Sequence, residues 1–412
     1  MSNKTPQVRF EGFPDYWKKQ FLSELMDFSN GINAPEEELG EGKKIISVMD
    51  ILADEPIPYD KVGNSMKADS FPEIENKVEN GDLVFVQSSE VLNKVGWSKA
   101  YLDESYALNS RFSIRGKKKK EFDAYFVELS LNNKNRKQIE RKAVRGTRFN
   151  INRSILSSVI ILKPSTSEQE RIGDFFLQID KVLALHQREL ENLQESKRGF
   201  LQKMFPKDDE CVPEFRFPGF TDAWEECKLE SIVERVTRKN KDKESKLLLT
   251  ISDQYGLVEQ NTFLKKQVES RDISNYYLLK KGEFSFNRGY SNENPWGTVK
   301  RLERYEMGAV SPMYINFKPT SIDSNFLVSY YETNRWHKDV SMRAAEGIRN
   351  QGLLNISAQD FFNTKVKLPK GIEEQKRIGT FFEKLDDTIA LHQKQLKILK
   401  EIKKAFLQKM FV

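Results

Sequence analysis

Residues 168–205 read EQERIGDFFLQIDKVLALHQRELENLQESKRGFLQKMF, and residues 374–411 read EQKRIGTFFEKLDDTIALHQKQLKILKEIKKAFLQKMF. The offset is 374 − 168 = 206 without a gap, and direct comparison gives 22 identities in 38 positions. Two unrelated helices of like composition do not match that well, so the chain is a tandem duplication. In the first copy Ile172, Phe176, Ile179, Leu183, His186, Leu190, Leu193, Lys197, Phe200 and Met204 fall alternately four and three apart. That is the spacing of a coiled-coil seam. The second copy repeats it with Ile378, Phe382, Leu385, Ile389, His392, Leu396, Leu399, Lys403, Phe406 and Met410. Ser167 followed by Glu170 reads as a capping box at the start of the first helix, and Pro206 ends it. At 1.5 Å per residue the segment makes a rod of roughly 57 Å, which has no means of burying its stripe on itself.

The partner the rod implies is the other copy. An intervening domain lets the second helix run back antiparallel, bringing residue 412 near residue 1. The sequence therefore predicts an α+β fold: two mixed α/β domains separated by two long helices in an antiparallel coiled coil, with pseudo-twofold symmetry. The expected boundaries are 1–166 for the first domain, 167–205 for the first helix, 206–372 for the second domain and 373–412 for the second helix. His186 and His392 are two of only three histidines and share the seam with Lys197 and Lys403. They read as polar interruptions that fix register rather than as catalytic or metal-binding groups.

A second repeat precedes each domain. Residues 6–25, PQVRFEGFPDYWKKQFLSEL, match residues 213–232, PEFRFPGFTDAWEECKLESI. Arg9, Phe10, Gly12, Phe13, Asp15 and Trp17 recur as Arg216, Phe217, Gly219, Phe220, Asp222 and Trp224. The aromatics read as a small apolar clasp seating each domain on the rod, with core packing preferred over ligand contact.

Residues 26–122 and 233–322 diverge and read as mixed strand and loop. Lys43–Ile51 echoes Leu247–Tyr255, and Gly81–Phe85 echoes Gly282–Phe286, in each case with alternating apolar residues as in a strand. A polar loop follows: VQSSEVLNKVGWSKA in one copy, NRGYSNENPWGTVKR in the other. Such side chains donate to base edges, stack, or touch phosphate, and they are also ordinary surface vocabulary. Residues 123–148 and 325–349 each read as a helix stopped by glycine, with basic residues at its negative end. Between Lys134 and Arg148 there are seven Lys or Arg and one Glu. An Arg just beyond the glycine in both copies, Arg148 and Arg349, favours a phosphate contact. Val159–Pro164 and Lys365–Lys370 read as closing strands. The candidate nucleic-acid contacts are therefore Ser88, Ser89, Lys94, Trp97, Lys99, Arg145 and Arg148 in the first copy. In the second they are Arg288, Tyr290, Asn292, Lys300, Arg343, Arg349 and Asn350.

Several classes of chemistry find no support. The chain has no glycine-rich phosphate loop and no dinucleotide fingerprint. Asn294-Pro295-Trp296 reads as a turn rather than a methyltransferase motif. No carboxylate pair with a basic partner recurs in both copies. Two cysteines and three scattered histidines in 412 residues argue against a disulfide framework or a metal centre and fit a reducing compartment. A net charge of +6 leans only weakly toward an anionic partner. There is no signal peptide and no apolar run long enough to span a bilayer, so a cytoplasmic location without membrane contact is expected. The pattern reads as a recognition scaffold, not an enzyme.

The order of variable domain, constant helix, variable domain and constant helix resembles the specificity subunit of type I restriction-modification systems. The EQERI and EEQKRI helix starts after Leu-x-Pro-type strands, the GD and GE strand starts and the RFxGFxxxW clasps carry the resemblance, which covers essentially the whole chain. It implies that each variable domain is a target-recognition domain reading one half of a bipartite site in double-stranded DNA, with the helices as spacer. It further implies docking of two modification subunits, which bind S-adenosylmethionine and methylate adenine, and of two restriction subunits, ATP-driven translocases with a nuclease. S-adenosylmethionine, ATP and Mg2+ are then expected in those partners and none in this chain. The alternatives are a scaffold whose two domains bind proteins, or the specificity subunit of a related system that fuses modification and cleavage in one polypeptide.

Overall fold

The computed structural model describes residues 5–32, 39–53, 56–66, 76–241, 243–253, 255–261, 272–289, 294–344 and 354–412. The chain forms two compact units, Met1–Glu189 with His392–Val412, and Leu190–Leu391. Two long helices, Thr166–Lys203 and Ile372–Met410, contribute residues to both. Every predicted seam position is buried or half-buried.

In the first unit, Lys18–Phe21 pairs antiparallel with Ile160–Lys163, so the expected closing strand is there and its partner is the clasp. Behind it lies an antiparallel sheet in the order Met26–Asn30, Ser113–Lys118, Leu83–Val86, Ser98–Ala100. Gly81, at φ 91°, makes the turn into Leu83–Val86, and a side chain is strained in that backbone. The neighbouring Asp82 is buried and takes Arg115 Nε at 2.8 Å and the Lys118 amide at 2.8 Å, so the acid of the GD motif fastens the sheet. A second sheet contains Leu39–Ile46, paired in parallel with Ala107–Asn109. The core takes in the start of the first long helix and the end of the second: Ile172 and Phe176 pack with Trp17, Phe126, Met410 and Phe411.

The second unit repeats this frame. Glu225–Lys228 pairs with Lys365–Leu368, and an antiparallel sheet runs Val233–Val236, Ile315–Pro319, Phe284–Asn287, Thr298–Arg301. Gly282 has φ 86°, and Glu283 takes Arg238 at 3.0 Å and the Lys280 amide at 2.8 Å. Met204 and Phe205 join Trp224, Phe326, Ile378 and Phe382 in its core. Asn294-Pro295-Trp296 is a turn, closed by the Gly297 amide on the Asn294 carbonyl at 3.3 Å.

Within each unit the two long helices run antiparallel. In the first, Phe175 meets Phe406 at 5.1 Å and Lys403 bonds Asp180. In the second, Phe200 meets Phe381 at 5.1 Å and Lys197 bonds Asp386 at 2.5 Å. Lys197 and Lys403 thus complete their own ion pairs as polar interruptions of an apolar seam. The end of the chain lies against the first clasp: the Val8 amide donates to the Lys409 carbonyl at 3.0 Å, and the rings of Trp17 and Phe411 are 6.2 Å apart.

Three local expectations are corrected. The first long helix starts at Thr166, so Ser167 lies inside its first turn and is not the cap; the amides of Glu168 and Gln169 donate instead to the Ser165 carbonyl. Residues 123–148 are not one helix but Ala124–Asn132 and Arg136–Lys142, broken where Asn133 leaves helical geometry. Gly146 is not a helix stop: it turns a hairpin between Val144–Arg145 and Phe149–Asn150. In the second unit the corresponding helices are Ser324–Glu332 and His337–Arg343, and Gly347 lies outside the described residues.

Candidate nucleic-acid interface

Each unit is first made rigid by one buried carboxylate. Glu168, in the first turn of its long helix, accepts Arg9 through Nε at 2.6 Å and Nη2 at 2.7 Å, and Trp17 Nε1 at 3.4 Å. Glu374 does the same with Arg216 at 2.7 and 2.8 Å and Trp224 at 3.3 Å. The bidentate bond raises the affinity of both guanidinium groups for their protons. Sequence reasoning placed Arg and Trp in an apolar clasp and missed the acid. The signal was present: an Arg, a Trp and a Glu recur together in both copies.

On the first unit, four candidates come together. Ser88–Ser89 pairs with Phe149–Asn150, which pairs with Val144–Arg145, so Ser88, Ser89 and Arg145 share one small sheet with Arg148 in its turn. Arg145 is exposed, its guanidinium 5.6 Å from the Phe149 ring centre. Arg148 is exposed and meets Glu90 at 2.7 Å. The Gln87 amide donates to the Phe112 carbonyl at 2.9 Å and the Ile151 amide to the Gln87 carbonyl at 3.0 Å, which brings the 110–113 turn to the same edge. Phe112 stands 50% exposed there, with Arg111 against its ring, and Val144 is 61% exposed. Sequence reasoning passed over Phe112 and Arg111 because nothing in a four-residue turn marks an aromatic as outward. Exposed Lys94 sits in the turn that follows Ser89. The surface therefore combines cations, hydroxyls and an aromatic face, groups able to hold phosphate, donate to base edges and stack.

Other candidates serve the fold. Lys99 is only 4% exposed and its amine lies 3.8 Å from Glu128 inside the domain, so it has no access to a partner. Trp97 is half-buried and packs on the core of the second sheet. Of the basic run, Arg136 is buried and bonds Glu140 and the carbonyls of Leu92 and Val95, while Lys142 donates to Ser158.

On the second unit the described candidates are dispersed. Arg288 occupies the place of Gln87 and donates to the carbonyls of Met313 and Ile356, both at 3.1 Å. Lys300 lies on the edge strand Thr298–Arg301, half-buried; burial raises the Asp386 pKa, and Lys300 is one of the cations that oppose the rise. Arg343 pairs with Asp339 at 3.3 Å. Tyr290, Asn292, Arg349 and Asn350 lie outside the described residues. Met313, 45% exposed, holds the position of Phe112. A cleft of about 400 Å³ is lined by Lys338, Arg343 and Lys365, paired with Asp208, Asp339 and Glu226, and by Lys207, Arg335 and Lys367, of which Arg335 and Lys367 donate to backbone carbonyls. Among the described residues no helix is long and apolar enough to cross a membrane.

A search of curated proteins finds no match to the chain. Among solved structures, the S subunit of a type I restriction-modification system from M. genitalium aligns over 99% of both chains at 18% identity, with a TM-score of 0.64, which shows a shared fold. The HsdS subunit from Thermoanaerobacter tengcongensis aligns over 97% of both chains at 14% identity and a TM-score of 0.43. The family profile described as the type I restriction modification DNA specificity domain matches twice, at residues 14–195 and 221–402, each match running from within a clasp through one domain and most of the long helix that follows. Two such matches span most of the sequence, and the chain belongs to the type I restriction-modification DNA specificity family.

Proposed function

We propose that this chain reads a bipartite, asymmetric target in double-stranded DNA for a type I restriction-modification complex, one half-site per domain. The supporting observation is the surface at Ser88, Phe112, Arg145 and Arg148: its frame recurs at Arg288 and Met313, while the residues presented differ. Two unlike readers on like frames imply two unlike half-sites. The long helices act as the spacer, with half-sites about one helical turn apart, roughly 34–36 Å. Linking two weak readers raises affinity through effective concentration.

In this reading the chain is not catalytic and works in the cytoplasm. It docks two modification subunits that carry S-adenosylmethionine and two restriction subunits that use ATP and Mg2+, and it binds none of these itself. The decisive experiment is methylation-aware genome sequencing of the host with the native chain and with residues 26–160 exchanged for those of another family member. One half-site changes and the other persists; a change in both overturns the modular assignment. Binding of the complex to duplex DNA should weaken steeply with salt, each neutralised phosphate adding about 0.9 to the log–log slope, whereas a protein scaffold shows no such slope.

A further inference from the structure

One cluster of side chains takes no part in the DNA-reading role and does not depend on it. It lies wholly within the first unit, where the two long helices run side by side. His186 Nδ1 is 3.3 Å from His392 Nδ1, and Glu189 Oε2 is 3.6 Å from the first and 3.5 Å from the second. All three residues are half-buried. The three donor atoms make a nearly equilateral triangle. Four ligands held tetrahedrally at about 2.0–2.1 Å from a zinc ion are separated by about 3.3–3.4 Å, so the triangle has the size of one face of that tetrahedron.

Hydrogen bonding alone serves this triangle poorly. A neutral imidazole carries one N–H, and a carboxylate only accepts. If one Nδ1 holds a proton, that single hydrogen faces two acceptors, the other ring and Glu189. If both hold protons, the two rings oppose donor to donor at 3.3 Å. A cation satisfies all three lone pairs together, with the ring protons carried at Nε2. Two imidazoles and one carboxylate suit zinc, cobalt or nickel rather than Mg2+ or Ca2+, which take oxygen ligands.

We propose that His186, Glu189 and His392 form a binding site for a divalent transition metal of the zinc class, with a fourth position open to water or an outside donor. The duplication explains how it arises. The same histidine stands in both copies, and antiparallel pairing brings the two together. Glu189 is matched by Gln395 in the second copy, so a single three-ligand site forms. Such an ion ties the two long helices in one register.

The test uses the full-length chain stripped of metal by chelation, with Cys211→Ser and Cys227→Ser to remove free thiols. Calorimetric titration with Zn2+ should give one equivalent bound per chain, and Co2+ should give the intense visible band of a tetrahedral site. The melting temperature should rise on adding Zn2+ and fall back with chelator. His392→Ala should weaken binding at least tenfold and abolish the cobalt band. Glu189→Gln, which places in the first copy the residue the second already carries at Gln395, keeps the helix surface and should also lose the band. Equal stoichiometry and affinity in the parent and in both variants, or the absence of Zn2+ binding and of a thermal shift in the parent, overturns the proposal.

Discussion

The two units share a frame nearly contact for contact and part company at its edge. Arg9, Trp17 and Glu168 are matched by Arg216, Trp224 and Glu374, with Arg–Glu distances within about 0.1 Å. Lys403 on Asp180 is matched by Lys197 on Asp386. Beyond the frame, Gln87 opens into a short sheet that lifts Arg145 and Arg148 into solvent, whereas Arg288 at the same place spends its side chain on two carbonyls. The buried carboxylates of Glu168 and Glu374 tolerate little change, because without its partner each is a costly uncompensated charge. An exposed edge carries no such constraint, which is where two copies of one fold are free to acquire different readouts.

The largest expected effect breaks the shared part. Glu168→Ala and Glu374→Ala each leave a half-buried guanidinium and a buried indole N–H without their acceptor, and each should cost about 1–3 kcal/mol. Hydrogen exchange should show the loss locally, around residues 6–25 for the first and 213–232 for the second. Protection lost equally in both clasps by either variant contradicts the idea of two self-sufficient frames. Next comes Arg288→Ala, which leaves the Met313 and Ile356 carbonyls without that donor and should destabilise the second unit by about 1–2 kcal/mol in urea denaturation. Gln87→Ala, at the matching place, should cost less, since the bonds there run through its backbone.

A proton sharpens the contrast. Burial pushes the Glu128 carboxyl up to about 7, against the pull of Lys99 and the Ala100 amide; the second unit has Val328 at that place. A folded pKa above the unfolded one means the stabilising contribution is complete below pH 4.5 and is lost as pH rises through about 7. Asp123, raised to about 6 chiefly by burial, acts in the same sense. The stability of wild type against denaturant should therefore fall as pH rises across that window, and Glu128→Gln should remove up to one proton of the slope, about 1.4 kcal/mol per pH unit. An unchanged slope would remove Glu128 as the cause.

Much of the frame was legible in the sequence because its signals are periodic or repeated: the four-three seam, the clasp, the glycine before Leu83–Val86 and the closing strands. The candidate interface was half legible. Ser88, Ser89, Arg145 and Arg148 do meet on one small sheet. Lys99, Arg136 and Arg288 look identical to them in sequence, yet each is claimed by a group distant in the chain: Glu128, the Leu92 and Val95 carbonyls, and the Met313 and Ile356 carbonyls. Whether a cation faces solvent or satisfies a buried acceptor is settled by tertiary packing, which local composition does not encode. Gly146 shows the same limit, since a glycine after a basic run fits a helix end and a hairpin turn equally well.

The smallest effect on stability carries the greatest weight for recognition. Arg145→Ala and Arg148→Ala remove exposed side chains, one resting on the Phe149 ring and one paired with exposed Glu90, so each should change unfolding free energy by less than about 0.5 kcal/mol. If Arg145 neutralises a phosphate, its loss should lower the log–log salt slope of DNA binding by about 1 while leaving sequence preference intact. If it reads a base edge, preference should relax at one position of one half-site, with a loss of about 1–3 kcal/mol against the correct base. Phe112→Ala distinguishes an apolar base contact from both, since it should weaken binding with no change in salt slope. A double variant of Arg145 and Arg148 that binds DNA as tightly as wild type, with an unchanged slope, would move the first reading head off this sheet altogether.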